Sequence, residues 1–406
     1  MVGSFLHLNQ SFKEAAKGHM TCRPIQRFSF YKERELVKLS KEIYEKTYRP
    51  RPKRPFIVFE PKQRKIFESH FRDRVVHHAI CFLLSPHFER RSLPKSYACR
   101  KGYGNLKALD QLRKAIQRMN DRGENAWVLK IDIKKYFDSI PHQKMLKLIQ
   151  RDCTDPLTMW MVQRVIDSYH ASPDRGLPIG NLTSQVFANL YLNELDWLIV
   201  QRHGFKNLFR FMDDLVILDV SKDRLEDLLE KIQDYCHTEL GLTVHPDKIR
   251  LVPAHKSFEF LGFKITGTRR TIKPTNVARI KKRLRKLSKA LKLKSQSPEK
   301  IHQRIQSWWG YACHGQIQRQ LRDLTNWLQK FDPDLALICQ QVFWPPAKER
   351  KLAPARTQPA EKTAHSVSYQ SLLDREIAES ECEFFQALRL NEIERIHGPP
   401  QRQSLK

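Results

Sequence analysis

The sequence predicts an α+β fold followed by an all-helical unit, and three observations carry that prediction. Short runs rich in Phe, Val and Ile recur at Phe56–Phe59, Trp127–Ile133, Leu208–Leu218 and Phe258–Ile265, with the length and content of strands. Between them lie longer segments with apolar residues at helical spacing, such as Val75, Val76, Ala79, Ile80, Leu83 and Leu84. Beyond Asn276 the strand signal stops. There Val277, Ile280, Leu284, Leu287 and Leu291 form one helix face, and Lys281, Lys282, Arg283, Arg285, Lys286 and Lys289 cover the remainder.

In chain order, residues 1–55 read as a basic, mostly polar extension with a helix near Glu33–Tyr48. It closes on Arg49–Pro55, whose alternating prolines exclude a helix. Residues 56–268 form the mixed unit. A basic turn at Lys62–Lys65 follows the first strand, and a helix beginning at Phe71 runs to Pro86. The loop Ser96–Asn105 contains glycines that let backbone approach an anion, and Arg100 and Lys101 supply charge there, although solvated charge is the ordinary role of such a loop. Trp127–Ile133 is a half-buried strand that delivers Asp132 at its end, an odd residue for a core strand unless it binds something.

Helices occupy residues 142–175, and a Pro/Gly loop, Leu177–Gln185, then enters a long apolar helix, Val186–Val200. Entry through Asn, Thr and Ser leaves N–H groups free for an anion or a base. A helix over Leu225–Leu240 stops at Gly241, and Thr243–Lys248 is a polar turn. Residues 269–332 make the helical unit, its basic face suited to a duplex or merely solvated. Residues 333–406 read as a tail, with a disordered linker over Pro345–Ser368 and a terminal helix over Leu372–Ile396.

The 406 residues carry 73 Lys+Arg against 44 Asp+Glu, a formal charge of +29 spread over most of the chain. A polyanion is the first partner such a surplus implies, because neutralising phosphates releases counterions. No apolar run approaches the ~18 residues of a spanning helix, so nucleic acid is favoured over membrane. With no secretory signal and eight scattered cysteines lacking a CxxC pair, the thiols read as reduced and the location as cytoplasmic. Cys81 with His77 and His78 has helical spacing but reads as structural.

The chemistry centres on Phe211-Met212-Asp213-Asp214, two carboxylates at the tip of a predicted hairpin. Alone, an Asp-Asp pair at a turn means turn chemistry. With Asp132 it can be more, since phosphoryl transfer with two Mg²⁺ ions needs carboxylates from separate elements converging on one point. Successive strand residues face opposite ways, so Asp213 and Asp214 take unequal roles unless the turn twists both inward.

Asp132 with Phe137, Leu177-Pro178-Ile179-Gly180 with Ser184, Phe211-Met212-Asp213-Asp214, Lys248 and Phe260-Leu261-Gly262 together resemble the ordered palm motifs of reverse transcriptases. The resemblance implies a right-hand polymerase fold of fingers, palm and helical thumb, with template RNA, an RNA/DNA hybrid and dNTPs as ligands. It implies two Mg²⁺ ions, with Mn²⁺ an alternative, ligated by Asp132 and Asp213 with Asp214 as third carboxylate. Phe137 takes the place of the ring that excludes a ribose 2′-hydroxyl, and Lys248 that of a proton donor to pyrophosphate. Arg72 or Arg74, Arg100 and Lys101 fall where fingers residues meet the triphosphate, and the Phe260–Phe263 strand resembles the primer grip.

One departure narrows the resemblance. Many reverse transcriptases carry Gln where Ile179 stands, and the intron enzymes have Ser-Pro where this chain has Ser184-Gln185. The run Ile179–Gln185, including Gly180, resembles reverse transcriptases of diversity-generating retroelements. These copy a template RNA with errors at adenines and work with a small basic accessory protein. A retron-like or phage-defence enzyme is the alternative, and a non-catalytic RNA-binding or splicing scaffold is the alternative of another class.

Overall fold

Three helices begin the chain in the computed structural model, which describes residues 2–59 and 63–343: α1 (Phe5–Ala16), α2 (Arg23–Phe30) and α3 (Lys32–Tyr44). They bury Leu8, Phe12, Phe28, Leu36, Leu39 and Ile43 in one core with α4 (Phe71–Arg91). The polar extension expected here is therefore helical and packed. Charged residues are interspersed throughout it, but the buried apolar ones fall three and four apart, which is what a core-facing stripe requires.

The proline-rich connector leads into an antiparallel hairpin, β1 (Arg54–Val58) and β2 (Arg64–Glu68). After it, α4 continues through Pro86, the expected stop, to Arg91. Burial of Leu84 and Phe88 on either side of the proline holds the helix together, a tertiary override of local preference. α5 (Asn105–Asp121) follows the basic loop.

The strands β3 (Trp127–Asp132), β4 (Asn207–Phe211), β5 (Asp214–Asp219) and β6 (Arg250–Pro253) make an antiparallel sheet in the order β4-β5-β3-β6. Alternation sends Val128, Phe209, Val216 and Leu218 into the core shared with α5, and Leu129, Ile131, Leu215 and Ile217 into the larger core. The helices α6 (Tyr136–Ser139), α7 (His142–Gln150), α8 (Pro156–Ile166), α9 (Leu182–Tyr191), α10 (Asn193–Trp197) and α11 (Lys222–Tyr235) complete this part. The long helix expected over 186–200 is thus divided, α9 ending at Tyr191 and a π turn, Leu198–Arg202, following α10.

The strand expected over Phe258–Ile265 is instead a hairpin, β7 (Ser257–Phe260) and β8 (Phe263–Thr266), extended by β9 (Arg269–Ile272). Its turn residues Leu261 and Gly262 both have left-handed φ, 47° and 83°, as a two-residue hairpin loop demands. A Cβ at Gly262 would come within 2.5 Å of the Tyr311 hydroxyl, which donates to the Gly262 carbonyl at 2.8 Å.

Four helices follow: α12 (Pro274–Lys292), α13 (Pro298–Ala312), α14 (Gln318–Phe331) and α15 (Pro333–Phe343). Asp332, 2% exposed, caps α15 by accepting from Leu335 N at 3.1 Å and receives the Ser288 hydroxyl at 2.5 Å. Leu335, Cys339 and Val342 complete the core of the helical unit, so the unit runs to Phe343 and not to 332. The linker and terminal helix expected beyond it lie outside the described residues.

Candidate active site

β3 and β5 are adjacent and antiparallel, and their register places Asp132 directly opposite Asp214. Asp213 sits beside them in the two-residue turn that joins β4 to β5, and its carbonyl accepts from Ile133 N at 3.3 Å. Met212, the other turn residue, has a φ of 53°, a left-handed conformation unfavourable for a side chain with a Cβ. Arg210 braces this turn. Fully buried, it donates Nη1 to the Met212 carbonyl at 3.3 Å and to Asn189 Oδ1 at 2.7 Å, and its Nε and Nη2 engage Asp196.

The three carboxylates do not have equal surroundings. Lys248 Nζ donates to Asp132 Oδ1 at 2.5 Å from the Pro246–Lys248 turn, which is tied to β3 by His245 N donating to the Asp132 carbonyl at 2.8 Å. Asp214 Oδ1 lies 2.9 Å from Lys130 Nζ. Burial, and then the charge of Asp132, push the Asp213 carboxyl above the usual carboxylate range. Burial raises Asp214 to about 6 in spite of Lys130.

Carboxylates from two separate elements are a hard oxygen donor set, which suits Mg²⁺ or Mn²⁺ bound through one or two carboxylates and substrate phosphates. Asp132 and Asp213 fit such an ion. Asp214, the third carboxylate expected, lies opposite Asp132 and is ion-paired with Lys130, as Asp132 is with Lys248; among the described residues no group of three or more His, Cys, Asp or Glu is gathered for a metal. That holds equally for Cys81, His77 and His78, which are buried.

Phe137 lies on the short helix α6 just beyond Asp132, half-buried, after Lys135 turns the chain through a φ of 46°. Tyr136 anchors α6 by donating its hydroxyl to the Ala188 carbonyl, and Leu177 N donates to the Phe137 carbonyl at 2.8 Å. That last bond ties α6 to the Pro178–Gly180 loop. The loop is pinned on its other side by Phe67 N, which donates to the Ile179 carbonyl at 2.9 Å. Gly180 has a φ of 111°, and a Cβ there would meet Ile66 Cγ2 at 2.7 Å.

Ile179 lines a cavity of about 1130 Å³ with Arg64, Lys65, Phe67, Lys135 and Tyr169. Arg64 is close enough to Asp213 for its charge to oppose the rise in that carboxyl's pKa. In the sequence Arg64 and Lys65 read only as part of a basic turn, and Lys135 carries no signal. The signal that would have found them is a basic tip on a hairpin whose other strand carries Phe56 and Val58.

Arg72, Arg74, Arg100 and Lys101, the other basic residues expected at the triphosphate, do not line this cavity. Arg72 is buried, paired with Glu42 and stacked 5.1 Å over the Tyr48 ring. Arg100 is also buried, with Nε 2.9 Å from both Glu89 oxygens and Nη1 donating to the Leu93 and Ser96 carbonyls. Arg72 thus ties α4 to α3, and Arg100 ties its loop to Glu89 of α4. Arg74 is half-buried on α4, where its charge adds to burial, the main cause, in lowering the proton affinity of His77 and His78. Lys101 lines a different cavity, of about 750 Å³, between α4 and α9. Gln185 accepts there from Cys99 Sγ at 3.6 Å.

Residues 52–265 match the family described as reverse transcriptase (RNA-dependent DNA polymerase). The chain belongs to the reverse transcriptase family. Its sheet and helices form the right-hand polymerase fold, and its enzyme class is RNA-directed DNA polymerase. Protein YkfC of Escherichia coli is 24% identical over 279 residues, covering 58% of this chain and 72% of that protein. The group II intron-encoded protein LtrA of Lactococcus lactis is 25% identical over 181 residues, 42% of this chain and 29% of LtrA. Among solved structures, a Candida albicans telomerase bound to a fragment of telomeric RNA aligns with a TM-score of 0.45 and 11% identity, over 71% of this chain and 56% of that one. Among the described residues, no helix is long and apolar enough to cross a membrane.

Proposed function

We propose that this reverse transcriptase copies an RNA template into cDNA by joining dNTPs to a primer at the Asp132–Asp213 pair. The observation that carries the reading is the meeting of these two carboxylates, from separate elements, beside a cavity with a basic fingertip. Arg64 and Lys65 bind the triphosphate of the incoming nucleotide in that cavity, and Phe137 closes the space beside its sugar. The primer 3′-oxygen forms a bond to the α-phosphorus as the bond to pyrophosphate breaks. Asp132 and Asp213 would hold divalent ions, whose charge would favour the 3′-oxyanion and offset that of the leaving group. Lys248, beside Asp132, delivers a proton to the departing pyrophosphate. The hybrid runs along α12, where Lys281 and Arg285 each lie 5.3 Å over the Trp327 ring.

Ile179 supports a mutagenic role within this activity. Its side chain borders the cavity and offers no hydrogen bond, so selection of the incoming base rests on pairing with the template. Adenine-directed errors in a diversity-generating retroelement, with a small basic accessory protein, are the finer reading. A retron-like or phage-defence enzyme would share the chemistry and differ in its template. A non-catalytic RNA scaffold would have no use for two carboxylates held against their mutual repulsion.

Purified protein given poly(rA)/oligo(dT), dTTP and Mg²⁺ tests the reading. Template-dependent dTTP incorporation is expected, and its absence with both Mg²⁺ and Mn²⁺ overturns it.

A further inference from the structure

Beneath the Ile179 loop, four buried polar side chains from three elements form a single chain of hydrogen bonds. Ser69, at the foot of β2, donates its hydroxyl to Asn181 Oδ1 at 2.8 Å. His77 of α4 lies with Nε2 3.3 Å from Ser69 Oγ and Nδ1 2.9 Å from Thr183 Oγ1. All four residues are at most 5% exposed.

The donor count fixes the direction of the chain. Ser69 spends its proton on Asn181, so its oxygen must accept from His77, which requires the Nε2–H tautomer. His77 Nδ1 is then an acceptor, and Thr183 donates to it. A protonated imidazole would break the last bond, and burial keeps His77 neutral, its pKa pushed down to about 3. Hydrogen bonds aligned in one direction polarise and strengthen one another.

Asn181 has given up a local role to take part. It is the N-cap residue of α9, a position where Asn normally accepts from the first turn, yet its side chain makes no capping bond. Its Nδ2 is buried with no partner among the described residues. An Asn that forgoes its cap and leaves a buried donor unmet is held by a constraint other than the stability of its own helix.

We propose that His77 is a positioning residue for the incoming nucleotide: through Ser69 and Thr183 it locks the base of the β1–β2 hairpin to the entrance of α9. The hairpin carries Arg64 and Lys65, and the loop leading into α9 carries Ile179 and Gly180. The lock therefore fixes the distance between the residues that meet the triphosphate and those that meet the base. It lies apart from Asp132 and Asp213 and touches neither. The inference rests on the dNTP reading of the cavity.

The experiment measures single-nucleotide incorporation on poly(rA)/oligo(dT) and separates kcat from KM for dTTP. Ser69→Ala and the near-isosteric Thr183→Val should each raise the dTTP KM about tenfold with kcat within about threefold, the loss expected of ground-state and transition-state positioning in equal measure. Thr183→Ser, which restores the hydroxyl, should return KM to within about twofold of wild type. Folded fraction is followed by circular dichroism, and rates are normalised to it. An unchanged KM in both variants, or an equal KM for Thr183→Val and Thr183→Ser, overturns the proposal. Wild-type protein that incorporates nothing overturns the polymerase reading instead.

Discussion

Arg210 and Asp196 form a fully buried ion pair behind the Met212–Asp213 turn, with Nε 2.7 Å from Oδ1 and Nη2 2.6 Å from Oδ2. Burial still raises the Asp196 carboxyl above its ordinary range, so desolvation outweighs the pairing on that side. Removing the arginine alone strands a buried carboxylate and frees the strained Met212 turn. Arg210→Met should cost roughly 3–5 kcal/mol in urea unfolding, and Arg210→Met with Asp196→Leu should recover much of that loss. A single-variant cost below about 1 kcal/mol would remove the pair from its bracing role.

Lys53 gives the fold a pH dependence at the alkaline end. Its Nζ donates to the Ser168 carbonyl at 3.0 Å and to the Ser168 hydroxyl at 2.5 Å, and burial lowers its pKa to about 8. The unfolded chain holds this proton up to a higher pH than the folded one, so stability rises with pH between about 8 and 10.5. Between pH 7 and 9.5 wild type should gain about 2 kcal/mol relative to Lys53→Met, read from paired denaturation curves. A difference that stays flat across that window would contradict the assignment.

Phe137 is expected to police the sugar. Phe137→Ala opens space next to Asp132 and should raise the rNTP-to-dNTP incorporation ratio roughly tenfold to a hundredfold, the scale of a steric pocket contact. Equal rejection of rNTPs by the variant would take Phe137 out of that role.

Much of this site could be read from the chain itself. Asp132 and Asp213–Asp214 stand out together because each ends or joins an apolar strand run, a pattern that one turn pair alone would not give. Arg210 is invisible by the same logic, since its partner sits on α10 and nothing in a strand pattern points to a helix. Nor does a lone basic residue reveal its ion pair, as Arg72 has with Glu42 and Arg100 with Glu89. Arg64 was missed because only the folded hairpin brings it back over a turn about 150 residues away in the chain. Before Arg49 the helix near Glu33–Tyr48 is legible as α3, whereas the shorter α1 and α2 are not.

Ile179 sets the expected fidelity. Ile179→Gln adds a hydrogen-bonding group to the cavity wall and should lower misincorporation opposite template adenine by about tenfold, from roughly 1–3 kcal/mol of added discrimination. Sequenced cDNA with the same adenine error rate would show that Ile179 is not the determinant.

The central claim is that Asp132 and Asp213 hold the catalytic ions, and the single-turnover rate of dTTP addition to poly(rA)/oligo(dT) in Mg²⁺ tests it most directly. Asp213→Asn keeps the shape of the turn and removes one anionic ligand. The account predicts a rate at least about a thousandfold below wild type, as loss of roughly 4 kcal/mol of transition-state stabilisation gives. A variant that adds dTTP at the wild-type rate would contradict it.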